Sequence, residues 1–177
     1  ASSTDTSSTS RVEAADNQVI IEFVNQKLSD SWQAAKLSPS PLATDAEWCR
    51  RVYVRLLGRI PTKQELDQFL NLESSTDKRV ELVDRLLDDE QYTQEYARHW
   101  TTIWTNLLIG RRGGLNKGDL SNRQGLQQYL QDGFQENKPY DQMAYELISA
   151  TGSNTPGTEN YNGAVNFILA NMNDHAV

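Results

Sequence analysis

RRVYVRLLGRIPT, residues Arg50–Thr62, holds the end of one helix, its stop signal and the start of the next. Val52, Leu56 and Leu57 recur at helical spacing and are expected to point inward. Arg51, Arg55 and Arg59 fall four apart and form a basic stripe beside that face. Gly58 and Pro61 close the helix, and Thr62 with Glu65 has the spacing of a capping box that opens another. The stretch reads as scaffold: Arg51 and Arg55 are expected to meet carboxylates of the acidic helices, Asp84 first. Gly58, Pro61, Asp84 and Trp100 belong to the same structural set.

Working outward, Ile20, Val24, Leu28 and Trp32 are spaced by four, joined by Phe23, and predict an amphipathic helix from Asn17 to about Leu37. Ser38-Pro39-Ser40-Pro41 stops it, and Thr44 with Glu47 opens the helix that carries the quoted stretch. Leu66, Phe69 and Leu70 mark a short helix after the turn, and the polar segment Glu73–Asp77 links it to the next. That helix shows Val80, Val83, Leu86 and Leu87 on its apolar side. Tyr92, Tyr96, Trp100, Ile103 and Leu107, widened by Trp104 and Leu108, predict the longest and most central helix. A Gly-rich basic loop, Gly110–Asp119, follows it. Ser121 and Gln124 have capping-box spacing before Leu126, Leu130 and Phe134, and Pro139 is placed as a first-turn proline for a helix closed by Gly152. No strand alternation and no internal repeat occurs. The fold class predicted is all-α, a single irregular bundle of six to seven helices over 17–177, preceded by a flexible Ser/Thr-rich tail or linker over 1–16. Asp174 reads as the start of a further helix, which carries the expectation that the polypeptide continues past Val177.

With 177 residues the chain is long enough for one buried core, and its formal net charge of -7 opposes attraction to nucleic acid or anionic lipid. No run approaches the roughly 18 apolar residues of a membrane span. Cys49 is the only cysteine, so neither an intrachain disulfide nor a C-x-x-C-H haem attachment arises from these residues. A buried, inert thiol is expected at that position.

Few residues offer chemistry. His99, beside Trp100, is the candidate cofactor ligand or general base, set against a histidine at the border of the core; no H-E-x-x-H spacing accompanies it. Asp84, Asp88, Asp89 and Glu90 lack the alternation of a calcium loop and read as solvated helix ends. Arg111, Arg112 and Lys117 form a candidate loop for an anionic group, although the phosphate-loop order G-x-x-x-x-G-K-[ST] is not met. Tyr92, Tyr96, Trp100 and Trp104 are core at helical spacing, or else a sugar-stacking platform. No catalytic residues and no metal site are assigned.

Three blocks taken in order, RRVYVRLLGRIPT, LVDRLLDDEQYTQEYARHW (Leu82–Trp100) and ENKPYDQM (Glu136–Met143), resemble the planctomycete cytochrome-C-associated domain of unknown function. The likeness covers about Asn17 to Asn171. It implies a large extracytoplasmic parent, periplasmic, envelope-associated or secreted, that often carries a c-type cytochrome module. In many relatives a C-x-x-C-H segment follows the position where this chain stops, so haem is implied only beyond Val177. Three readings follow: a non-catalytic structural or docking module that packs against other domains of its polypeptide, a c-type cytochrome among them; a module for glycan or an anionic polymer; and a fragment of a redox enzyme or hydrolase completed by further sequence. Exposure of Trp32, Trp100 or Trp104 would favour the second, and acids gathered around His99 the third.

Overall fold

The structure, a computed structural model, describes residues 6–72 and 78–172, with side chains from 17 onward. The expected linker Glu73–Asp77 and the helix start at Asp174, with His175, lie outside the described residues. Eight α-helices are present among them, one more than the upper expectation, and no strand. Residues up to Leu42 and residues from Ala43 form two units. The first holds α1 (Thr6–Ala34), which begins before the expected start at Asn17 and, at 29 residues, exceeds the predicted longest helix. Gln18 and Glu22, and Gln26 and Asp30, pair at i,i+4 along it.

The second unit holds α2 (Asp45–Leu57), α3 (Lys63–Asn71), α4 (Lys78–Asp88), α5 (Glu90–Ile109), α6 (Arg123–Gln135), α7 (Tyr140–Ser149) and α8 (Val165–Met172). Two of the three expected capping boxes form: the Thr44 hydroxyl accepts from the Glu47 amide and the Glu47 carboxylate accepts from the Thr44 amide, with Thr62 and Glu65 arranged alike. Gly58 ends α2 in the left-handed region at φ 71. That conformation alone favours glycine. A second demand comes from His99, whose Nδ1 would lie 2.3 Å from a Cβ at position 58. The glycine of the first sequence block and the histidine of the second are therefore in direct contact.

The predicted role of the arginine stripe needs correction. Arg51 and Arg55 are exposed and make no ion pair with Asp84, which is itself exposed. The buried positions of α2 are Cys49, Tyr53 and Leu57, spaced by four, with Val52 and Leu56 packed beside them. Arg51 and Arg55 stand outside that seam. Arg59 lies beyond the helix end and turns back, its guanidinium 5.3 Å from the centre of the Tyr53 ring. Its Nε donates to Glu95 at 2.7 Å, while its two terminal nitrogens donate to the two Glu65 oxygens at 2.9 and 2.8 Å. The Arg59 guanidinium is the main cause holding the Glu65 carboxyl down, from 4.5 to about 2. Lys78 and Arg79 at the start of α4 both engage Asp45 at the start of α2.

Two hydrophobic clusters share α5. One joins Cys49, Tyr53, Phe69, Leu82, Leu86 and Tyr92; the other gathers Leu126, Leu130, Met143, Leu147 and Ala164. α5 packs on α2 and α4, and also on α6 and α8, which makes it the central helix as expected. Its register differs from the expectation: Ile103 and Leu107 are 40% and 71% exposed, whereas Ala97, Thr101 and Thr105 are buried. Small residues four apart form the covered seam, and a count of large apolar side chains does not see them. On α4 likewise Leu82 and Leu86 are covered while Val80 and Leu87 are exposed.

Residues 150–164 are tied down by Asn166 of α8, which is fully buried. Its Oδ1 accepts from the Asn122 amide at 2.6 Å, and its Nδ2 donates to the carbonyls of Asn154 and Gly163, each at 3.0 Å. Asn122, not Ser121, caps α6, its Oδ1 accepting from the Gly125 amide. Ser121 is buried instead.

Candidate functional site

The ENKPYDQM block builds the corner between α6 and α7. The Lys138 amide donates to the Gly133 carbonyl at 2.8 Å, which reverses the chain after α6, and Asn137 supplies the left-handed residue at φ 49. Pro139 occupies the N-cap position of α7, one residue before the expected first turn. Four consecutive residues of this corner, Asn137 to Tyr140, thereby form one wall of a cleft of about 460 Å³. Tyr96 and Trp104 of α5 and Phe134 of α6 form the other.

The rings are in contact, Tyr96 on Phe134 edge to face and both Trp104 pairs tilted. Tyr96 and Phe134 meet at 6.4 Å and 84°, Trp104 and Phe134 at 6.3 Å and 53°, Trp104 and Tyr140 at 5.9 Å and 56°. Tyr140 is 67% exposed at the cleft. The one cation of the wall, Lys138, is already engaged: its Nζ donates to Glu146 at 2.7 Å and lies 5.0 Å from the Tyr129 ring centre. Glu146 also accepts from the Tyr129 hydroxyl at 2.8 Å. Lys138 is the main cause lowering the Glu146 carboxyl, while burial and then the Glu146 hydrogen bond raise the Tyr129 phenol. A second hollow, of about 170 Å³, adjoins across the shared Trp104, Tyr140 and Met143, and is completed by Leu108, Ile148 and Phe167.

The residues singled out from sequence distribute as follows. Tyr96 and Trp104 enter the cleft; Tyr92 is buried in the first cluster, and Trp100 is half-buried against Tyr96 and His99. Trp32 on α1 is 40% exposed. His99 is half-buried, its ring over Gly58 and beside Trp100 at 5.9 Å. Among the described residues no three His, Cys, Asp or Glu side chains converge to hold a metal. Arg111, Arg112 and Lys117 are all exposed and do not come together: Arg112 alone lines a shallow hollow, shared with the Asp119 carboxylate. That loop is closed by Arg123, which donates to the Gly110 carbonyl at 2.8 Å and to Asn106 at 2.5 Å. Cys49 is fully buried, and burial pushes its thiol up.

Sequence reasoning weighed Tyr96 and Trp104 as an aromatic platform but missed their partners Phe134, Asn137 and Tyr140. The signal was the unexplained identity of the N-K-P-Y run, which a turn alone does not require. No helix of the described residues is long and apolar enough to cross a membrane. Neither the comparison with curated proteins nor that with solved structures gives a match. A family model described as PSCyt2, protein of unknown function (DUF1549), matches residues 23–177, and the chain belongs to that family.

Proposed function

We propose that the chain is a non-catalytic helical docking module of a larger secreted or envelope-associated protein, engaging an apolar surface on another domain of the same polypeptide, with a c-type cytochrome module as one such domain. The supporting observation is the face around the 170 Å³ hollow of α5, α7 and α8, where Ile148 is 67% exposed beside the half-buried Leu108 and Phe167. Tyr145 of α7 and Leu107 of α5 are 68% and 71% exposed. Apolar surface grouped around a hollow is the character of an interface core. Any haem would belong to that partner domain.

Calorimetric titration with the remainder of the parent polypeptide, expressed separately, tests the reading. Saturable binding with a negative heat-capacity change is expected, and Ile148→Asp abolishes it without altering the fold. Absence of binding between two folded parts refutes it. A second reading, a glycan-binding module, is favoured by the aromatic cleft and is taken further below.

A further inference from the structure

We infer that the cleft between α5 and the α6–α7 corner binds a neutral carbohydrate chain, with Tyr140 and Trp104 as stacking faces and Asn137 and Tyr96 as hydrogen-bonding groups. The cleft of about 460 Å³ falls in the range of small-ligand sites, about 300–1,000 Å³, and is walled by aromatic rings with a few polar groups at its edge. Sugar rings match that inventory. Their C–H faces carry slight positive charge and lie against the negative faces of aromatic rings, while their hydroxyls both donate and accept.

The polar groups on the wall have the matching dual character. The side-chain amide of Asn137 and the Tyr96 hydroxyl can each donate and accept, and neither is spent on a hydrogen bond to another described residue; it is the Asn137 backbone N–H that donates to the Phe134 carbonyl. Asn137 is instructive in a second way. Its backbone conformation at φ 49 is the one glycine supplies most cheaply, yet an amide side chain stands there, exposed at the cleft edge. The charge pattern selects a neutral ligand over an anionic one. Lys138, the single cation of the wall, is committed to Glu146 and covers Tyr129, and the chain as a whole carries a net charge of -7. An acidic polymer would find no free countercharge in this cleft.

The test is titration of the full chain with neutral hexasaccharides of glucan, mannan, xylan and chitin type, followed by tryptophan fluorescence and calorimetry. Polygalacturonate and a proline-rich peptide serve as competitors of other classes. The expected result is saturable binding of at least one neutral hexasaccharide, unaffected by salt. Tyr140→Ala and Asn137→Gly each weaken it about tenfold, the loss of one contact of about 1.4 kcal/mol. Both positions are exposed and glycine retains the turn at 137, so the melting midpoint should stay fixed, and intact folding keeps the comparison meaningful. Binding of none of the four overturns the inference. So does equal affinity in both variants, a preference for polygalacturonate that fades with salt, or capture of the proline-rich peptide alone. Ile148→Asp, which interrupts docking to another domain, should leave sugar binding intact, so the two readings fail separately.

Discussion

Replacing Arg59 by Met removes a cation held by two carboxylates while keeping most of the stem that covers Tyr53. The size of the effect follows from Glu65. A carboxyl lowered from 4.5 to about 2 on folding corresponds to an upper limit of about 3 kcal/mol of stability at neutral pH. The side chains of Arg59 and Glu95 are still 28% and 32% exposed, against 14% for Glu65, so solvent screening reduces the figure to about 2 kcal/mol. For a chain of this size that lowers the melting midpoint by roughly 4–8 °C. The sign with pH is fixed. A carboxyl with a depressed folded value contributes fully above its unfolded value of 4.5 and loses that contribution as pH falls toward about 2. The difference between wild type and Arg59→Met, measured by thermal unfolding at several pH values, should therefore narrow across that window. Arg55→Ala, on the exposed stripe, should stay within about 0.5 kcal/mol of wild type at every pH. An unchanged midpoint for Arg59→Met, or a difference that does not vary with pH, would refute the assignment of Arg59 as the charged tie between the turn and α5.

Gly58→Ala should cost about 2–4 kcal/mol, because it combines a left-handed backbone with a clash on the His99 ring; adding His99→Ala should recover part of the loss in a melting experiment, and no recovery would separate the two residues. Asn166→Ala should cost about 2–4 kcal/mol by orphaning the Asn122 amide and the Asn154 carbonyl, and hydrogen exchange should quicken in residues 150–164 before elsewhere; uniform quickening would contradict a local tie. Cys49, buried with its thiol pushed up, should react with a thiol reagent only as fast as the fold opens, and rapid labelling of the native chain would contradict its burial.

Local chemistry made much of the fold legible. Thr44 with Glu47, Thr62 with Glu65 and Gly58 announce helix ends through hydrogen bonds that close within a few residues, and all of them form. Where a prediction needed the partner of a side chain, sequence spacing was insufficient. Arg51, Arg55 and Arg59 look alike along the chain, but only Arg59 lies past the helix end, where it is free to turn back to Glu65 and Glu95. The buried seam Ala97, Thr101 and Thr105 was hidden because small residues carry little hydrophobic signal, although they occupy the best-covered positions of α5.

The cleft divides in the same way. Pro139 by itself announced the start of α7, since its fixed φ suits a helix entry and it has no amide to satisfy there, whereas the left-handed turn at Asn137 was seen only in the structure. That Tyr140 then stands beside Trp104, thirty-six positions earlier, and that Tyr96 and Phe134 close the wall, was decided by the packing of α5 along α6. The physical reason is one of range. Caps, turns and helical periodicity arise from interactions within a turn or two of backbone, whereas a cleft is the space between elements whose separation only the packed core fixes.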